Sequence, residues 1–283
     1  MTRYQDSNYK NYTLKQKKVL DLEKKYFDIL FSIFSKQTFK NELRAIMNDI
    51  NQNWRRIHTL WGKTNVVDLA VERHINYRVY NDPLLQKHIT SIYPSVISSD
   101  TAFVTKDAVI NIDSKTISVD GNSDDWDRQV IGCNQTSFDN KLNFYAKRKK
   151  IKVPVTSLLK HYHKSKPVLS FFLSTLYHID EINQKDSWYD DGKHPVKPYY
   201  SNKTKDKTIV KNEFLDNIKF SCMPHYEISS LYNFDIVSGV KSYNPPDVPK
   251  PKGTSSVRID HDSLRKRFDS GGVQWEGFKT FKI

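Results

Sequence analysis

The chain has 283 residues, which is enough to bury a sizeable core in one elaborated domain or in two closely packed ones. Hydrophobic residues make up 37% of the sequence and aromatic residues 13%, so global disorder is excluded. Lys and Arg number 45 against 32 Asp and Glu, a net charge of +13. A polyanion such as nucleic acid is therefore the first candidate partner, and the alternative is a basic protein without such a partner.

Neither a targeting segment nor a disulfide framework is indicated. Residues 1–18 are polar, and the longest apolar stretch, residues 168–179, is interrupted by polar side chains. The two cysteines, Cys133 and Cys222, are too few for a disulfide scaffold. We therefore expect a cytoplasmic protein with no membrane span.

Helical periodicity begins near the N-terminus. Thr13 is a candidate N-cap, and apolar residues recur at helical spacing over residues 19–34, which predicts a helix of about five or six turns. A second helical pattern covers residues 43–60. Together they predict an N-terminal helical hairpin over residues 1–62 that serves packing or dimerisation.

A third helix is predicted over residues 66–80. It presents Glu72 about one turn from Asp68 and Asn76, and the sequence Asn81-Asp82-Pro83 ends it.

β-strands are predicted next along the chain. Residues 101–105 and 108–119 are rich in β-branched types, and Lys106-Asp107 between them indicates a tight hairpin. Residues 153–155 and 167–177 indicate further strands, the second apolar enough for the middle of a sheet. The fold class is therefore α/β or α+β, with a central mixed sheet flanked by helices.

The C-terminal third is more polar. Residues 186–211 predict a basic loop that is either solvated or follows a phosphate backbone. Its candidate phosphate contacts are Lys203, Lys205 and Lys207. Residues 242–255 carry four prolines and predict an extended connector, and residues 260–268 predict a short basic helix. We divide the chain into an N-terminal helical region (1–62), a core (63–240) that includes this basic loop, and a C-terminal segment (241–283).

The hairpin also carries the residues best suited to chemistry. Because side chains alternate along a strand, Ala108, Ile110 and Ile112 share one face and Asn111, Asp113 and Lys115 share the other. Asp100 stands immediately before the first strand, so the hairpin would bring it beside Asp113.

Two carboxylates and an amine then converge. Carboxylate oxygens are ligands that Mg²⁺ prefers, and a neighbouring ammonium can stabilise negative charge or position a water for attack on phosphorus. The alternative is a solvated strand with an ordinary ion pair between Asp113 and Lys115.

The pattern Ser99-Asp100 followed by Asp113-Ser114-Lys115 resembles the PD-(D/E)xK nucleases, with Ser99 where that group often has Pro. Within the group, residues 112–116 and 131–138 are similar to type II restriction endonucleases of the EcoRV-like branch. The resemblance implies Asp100 and Asp113 as metal ligands, the backbone carbonyl of Ser114 as a further ligand, and Lys115 as the catalytic lysine.

The resemblance extends to two neighbouring regions. Glu72 stands where such enzymes often place an additional carboxylate, and the alternative is a surface glutamate or one paired with Arg73 or Lys63. The segment that would approach DNA comprises Asn134, Gln135, Thr136 and Ser137, and its alternative is an ordinary polar loop.

The implied function is a type II restriction endonuclease that uses Mg²⁺ to cut double-stranded DNA at a short specific site. A homodimer is expected, because a two-fold dimer presents equal sites to the two strands of a palindrome. A cognate DNA methyltransferase would act on the same site. The alternatives are a non-catalytic nucleic-acid-binding protein and a repair or phage nuclease of the same fold.

Other candidate sites are weaker. His161 and His163 resemble a metal pair but lack a nearby acidic ligand in sequence, so we expect ordinary polar residues. Cys222 and His225 resemble half of a zinc site without its other half, so a buried structural cysteine is expected.

Overall fold

A computed structural model describes residues 8–53, 66–93, 100–118, 128–132, 135–137, 140–145, 152–155, 161–183, 209–232, 236–237 and 256–283. Helices pack against one face of a central β-sheet, and a smaller sheet contacts the opposite face. This mixed α/β architecture confirms the predicted fold class.

The first and third helices lie close to their predicted positions, whereas the second begins six residues before its predicted pattern and the short fourth helix was not predicted. The helices are α1 (Leu14–Phe34), α2 (Gln37–Gln52), α3 (Val66–Asn81) and the short α4 (Pro83–Gln86). Thr13 caps α1 in a capping box, because its hydroxyl accepts the Gln16 N–H and the Gln16 side chain accepts the Thr13 N–H. The predicted continuation of the second helix over residues 54–60 lies outside the described residues. No helix in the described ranges is long and apolar enough to cross a membrane.

The central sheet is mixed. Its strands run in the order β1 (Ile89–Ile92), β2 (Thr101–Thr105), β3 (Val109–Ser118), β8 (Lys166–Asn183), β9 (Ile209–Met223) and β14 (Phe278–Lys282), and β7 (Tyr162–His163) pairs with β8. Strands β3 and β8 are parallel, and the other pairs are antiparallel. The predicted hairpin at residues 106–107 and the interior position of residues 167–177 are both confirmed.

Smaller sheets complete the described fold. One joins β10 (Ile236–Val237), β11 (Ser256–Asp260) and β4 (Arg128–Gly132); two hairpins pair β5 (Asn140–Tyr145) with β6 (Lys152–Val155), and β12 (Lys266–Phe268) with β13 (Gln274–Glu276). Strand β6 confirms the strand predicted over residues 153–155.

The main apolar core lies between the helices and one face of the central sheet. Alternate residues of β3, among them Ile110 and Ile112, join Phe171 of β8 and Phe220 of β9 in this core. Phe27 of α1 stacks on Phe220 with ring centroids 5.0 Å apart. The opposite face of β3 therefore carries Asn111, Asp113 and Lys115, as strand alternation predicts.

Two boundaries differ from the prediction. The short basic helix predicted over residues 260–268 is wrong: β11 ends at Asp260, a 3₁₀ turn follows at Asp262–Leu264, and Lys266–Phe268 form β12. Arg267 is completely buried between two more exposed neighbours, the period-two pattern of a strand. The loop predicted over residues 186–211 ends earlier, because β9 already begins at Ile209. The division of the chain at residues 62 and 240 stays a prediction.

Candidate active site

The β2–β3 hairpin brings Asp100 to β3. Thr101 is opposite Ile112, so Asp100, one residue earlier, lies beside Asp113. The Ser114 backbone N–H donates to Asp100 Oδ2 at 2.5 Å. In an extended strand the N–H and C=O of one residue point to the same side, so the Ser114 carbonyl also points towards Asp100.

Asp113 and Lys115 lie together on the face of β3 away from the helices. Lys115 Nζ is 2.5 Å from Asp113 Oδ1, and the Asp113 side chain is only 2% exposed whereas that of Lys115 is 30% exposed. Apart from this ion pair, no described residue donates a hydrogen bond to either Asp113 oxygen. The buried carboxylate therefore has fewer donors among the described residues than a buried carboxylate normally has.

Helix α3 contributes two further carboxylates. Glu72 is half-buried and close enough to Asp100 and Asp68 for their charges to affect it. The Thr116 hydroxyl donates to Asp68 Oδ1 at 3.0 Å and so attaches α3 to β3. A hydroxyl of Thr101 bonds Asn76 and attaches the same helix to β2. Sequence reasoning gave Asp68 no role, although its spacing of four residues from Glu72 places both on one face of α3.

Burial and like charges raise the pKa values of this acidic cluster. Burial raises the pKa of Asp113 to about 7; Lys115 opposes the rise, and the charges of Asp100 and Asp68 add to it. Burial likewise raises the pKa of Asp100, against the opposing effects of the Ser114 N–H and Lys115. The pKa of Glu72 is raised by burial and by the charges of Asp100 and Asp68.

A divalent cation fits the chemistry of these donors. Asp100 and Asp113, two carboxylates of raised pKa, lie beside one another, and no described residue other than Lys115 donates to the oxygens of the buried Asp113. Mg²⁺ is usually bound by one or two carboxylates with water completing its octahedron. The described residues hold no cluster of three or more His, Cys, Asp or Glu side chains placed to enclose a metal by themselves.

The structure places the predicted DNA-contacting segment only in part. Gln135 is half-exposed, whereas Thr136 and Ser137 are 3% and 1% exposed. The Ser137 hydroxyl donates to the Val168 carbonyl of β8 at 2.9 Å. A DNA contact of these residues stays a prediction, which burial favours for Gln135 over the other two. The predicted contacts Asn134, Lys203, Lys205 and Lys207 lie outside the described residues.

The weaker candidate site residues Cys222, His161 and His163 are buried or packed against aromatic rings. Cys222 is completely buried, and burial raises the pKa of its thiol well above the usual value, as a structural cysteine would show. The ring of His161 stacks on Tyr226 with centroids 3.9 Å apart, and His163 packs edge-on to Tyr93. These residues form no second acidic or metal-binding cluster within the described ranges.

Comparison with known proteins identifies the family. Residues 15–181, more than half of the chain, match the family model described as type II restriction enzyme MwoI, N-terminal domain. The chain belongs to this family. The matched range of the MwoI N-terminal domain family includes α1 to α3, the β2–β3 hairpin and β4. No curated protein matches the sequence.

Solved structures support the fold. The chain is similar to the restriction endonuclease BglI bound to its DNA recognition sequence, with a TM-score of 0.59 and 14% identity over 97% of this chain and 94% of that one. The tetrameric restriction endonuclease SfiI bound to cognate DNA aligns with a TM-score of 0.41 and 14% identity over 86% and 92% of the two chains, too weakly to support an argument. The first likeness shows a shared overall architecture.

Proposed function

We propose that this protein is a type II restriction endonuclease that hydrolyses phosphodiester bonds at a short specific sequence in double-stranded DNA, with Mg²⁺ as cofactor. The observation that carries the proposal is the convergence of Asp100, Asp113 and Lys115 at the open end of the β2–β3 hairpin. Membership of the MwoI N-terminal domain family and the net charge of +13 support it. The DNA bound to BglI supports the same substrate class.

Each residue of the site has a chemical role in this proposal. Asp100, Asp113 and the Ser114 carbonyl would hold the Mg²⁺ ion. When bound, the ion would supply Lewis-acid stabilisation of charge on the phosphate and lower the pKa of a bound water. Lys115, held by Asp113 and open to solvent, would donate to a non-bridging phosphate oxygen or orient the attacking water. No covalent intermediate is expected.

Helix α3 would support the site from the other side of β3. Glu72 would serve as the additional carboxylate. The charge of Asp100 raises the pKa of Glu72, as expected if the two carboxylates lie near one another. Asp68 would hold α3 in place through Thr116. This arrangement corresponds to the PD-(D/E)xK pattern, and we retain the narrower resemblance to the EcoRV-like branch as part of the proposal.

The partners follow from the reaction. A homodimer would present two active sites to the two strands of a palindromic sequence. The basic stretch around Lys203, Lys205 and Lys207, together with Asn134 and Gln135, would contact DNA phosphates or base edges. A DNA methyltransferase with the same specificity would protect the host genome.

Cleavage mapping tests the proposal. Purified wild-type protein and the Asp113→Asn variant are incubated with phage DNA and Mg²⁺, and the ends are sequenced. Wild type should yield discrete fragments sharing one short sequence, and Asp113→Asn should cut on the order of a thousandfold more slowly, because it loses an anionic metal ligand. The Asp107→Asn variant is the matched control, because it changes a carboxylate at the other end of the same hairpin.

Each alternative has its own outcome. Ends spread over all sequences, or confined to branched or damaged DNA, would favour a repair or phage nuclease. DNA binding without cleavage by wild type over a range of divalent metals would favour a non-catalytic binding protein. Equal cutting by wild type and Asp113→Asn would remove Asp113 from the catalytic assignment.

A further inference from the structure

A buried amide lies on the same face of the central sheet as the candidate active site. Gln129 of β4 is 1% exposed, and its Oε1 accepts hydrogen bonds from the hydroxyls of Ser174 at 3.3 Å and Ser221 at 3.0 Å. Both serines are buried, one on β8 and one on β9. The three side chains form a polar bridge between the smaller sheet and the central sheet.

Strand register places this bridge beside β3, the strand that carries Asp113 and Lys115 and that is called the catalytic strand below. Ser174 is the β8 partner of Lys115, and directly opposed residues place their side chains on the same face. Ser221 is the β9 partner of Phe172, which is itself the β8 partner of Asp113. Neighbouring strands are about 4.8 Å apart, so Gln129 is bonded one strand from Lys115 and two strands from Asp113.

A second attachment holds the same part of the chain. The Ser137 hydroxyl bonds the Val168 carbonyl, and Val168 is the β8 partner of Val109. Val168 and Ser174 are about 20 Å apart along β8. The attachments of Gln129 and Ser137 therefore bracket the level of Asp113 on the catalytic strand.

The bridge is made of polar side chains, although apolar side chains of similar shape could give the folded protein similar stability. Replacing all members of a buried hydrogen-bonded group by apolar side chains of similar shape is often neutral for folding. A hydrogen-bonded bridge differs in being directional, so it fixes one position of β4 over β8 and β9. The half-exposed Gln135 lies three residues after β4 and two residues before Ser137, which bonds β8, so we infer that its placement depends on that position of β4.

We propose that Gln129 is a positioning residue that fixes β4, and with it the segment carrying Gln135, over β8 and β9 beside the catalytic strand, through Ser174 and Ser221. The proposal rests on the proposed function, because its consequence is the placement of DNA at Asp113 and Lys115. Gln129 does not touch the substrate. It acts through the strand on which it lies.

The test separates stability from placement. The single variant Gln129→Met leaves two buried hydroxyls without their shared acceptor and should lower the melting temperature. The triple variant Gln129→Met/Ser174→Ala/Ser221→Ala removes the whole bridge and should recover most of that loss. Its single-turnover cleavage rate on saturating cognate DNA should nevertheless stay about ten to a hundredfold below wild type, because small misplacements are costly in catalysis.

A matched control accounts for destabilisation alone. Tyr26→Phe removes a hydrogen bond to Asp107 at the turn end of the hairpin, far from the bridge. It should lower the melting temperature and leave the saturated cleavage rate unchanged. Recovery of both stability and cleavage rate in the triple variant would overturn the proposal.

Amide hydrogen exchange gives a readout that does not need cleavage. Residues 128–132 should exchange faster in the triple variant than in wild type at equal global stability. Unchanged exchange there would overturn the positioning role, whatever the enzyme assay gives. A wild-type protein that cuts no DNA would instead refute the proposed function, and the exchange comparison would still decide whether Gln129 holds β4.

Discussion

Each end of the β2–β3 hairpin has an ion pair between an aspartate and a lysine, but the surroundings of the two carboxylates differ. At the turn, Asp107 accepts bonds from Lys25 at 2.6 Å, Tyr26 and Thr105. At the open end, Asp113 is nearly fully buried, lies 2.5 Å from Lys115, and accepts from no other donor among the described residues. The turn carboxylate is satisfied by its surroundings, and the other is not.

The electrostatics of the two carboxylates differ accordingly. Burial alone would raise the pKa of Asp107, but the bonds from Lys25, Tyr26 and Thr105 together lower it. Burial raises the pKa of Asp113 to about 7; Lys115 opposes the rise, and the charges of Asp100 and Asp68 add to it. A structural carboxylate is surrounded by donors, whereas a carboxylate kept for chemistry has coordination capacity left over.

The largest expected difference between the two ends of the hairpin is in cleavage rate, when the lysine at each end is replaced in turn. Lys115→Met should lower the DNA cleavage rate by a factor on the order of a hundred to a thousand, because it removes a charge aimed at the reacting phosphate. Lys25→Met removes a lysine of similar exposure from the turn end and should leave cleavage within about twofold of wild type. Single-turnover assays at saturating DNA measure both. Equal losses in the two variants would show that the hairpin's ion pairs act on folding alone.

His225 is a buried titratable side chain with a hydrogen bond at each ring nitrogen, and the pH dependence of stability tests it as a third case beside the two carboxylates. His225 Nδ1 accepts the Glu227 N–H at 3.1 Å, and Nε2 donates to the His161 carbonyl at 2.8 Å. Burial lowers the pKa of His225 to about 4, against about 6.5 in the unfolded chain. The unfolded state thus binds the proton more tightly, so this stabilisation is fully present above pH 6.5 and is lost as pH falls towards 4.

Urea denaturation of wild type and His225→Asn measures the effect. Asn offers an acceptor and a donor but does not titrate in this range. Wild type should lose about 2 kcal/mol more than His225→Asn in the free energy of unfolding between pH 7.5 and pH 5. Parallel pH profiles for the two proteins would mean that folding does not lower the pKa of His225.

Local patterns in the sequence predict the hairpin and its catalytic strand well. Alternation separates Ile110 and Ile112 from Asp113 and Lys115, and the β-branched runs on either side of residues 106–107 predict the antiparallel pair. Both features depend on neighbouring residues alone. The convergence of Asp100 with Asp113 follows from them.

Long-range contacts explain what the sequence did not predict. Arg265, Lys266 and Arg267 form a basic run that indicates an exposed helix, yet Arg267 is buried in an ion pair with Glu23 of α1. Asp68 and Gln129 likewise acquire their roles only from residues of distant strands. No local periodicity encodes which distant charge or hydroxyl will meet a buried polar group.

The smallest expected effect concerns stability and returns to the two carboxylates. Asp107→Asn should lower the free energy of unfolding by about 1 kcal/mol, because it weakens charge-assisted bonds to Lys25 and Tyr26. Asp113→Asn should leave it unchanged or raise it by about 1 kcal/mol in metal-free buffer at pH 8, because it removes a buried charge to which, among the described residues, only the partly exposed Lys115 donates. Lys115 loses its partner in that variant but is exposed enough to be solvated.

Urea denaturation with a chelator present decides between these outcomes, and added Mg²⁺ extends the test. Because a ligand that binds the folded state stabilises it, Mg²⁺ should raise the stability of wild type and of Asp107→Asn but not of Asp113→Asn. A larger loss in Asp113→Asn than in Asp107→Asn without metal would make the Asp113–Lys115 contact a structural ion pair. The contrast between the two ends of the hairpin, from which the catalytic assignment gains its support, would then disappear.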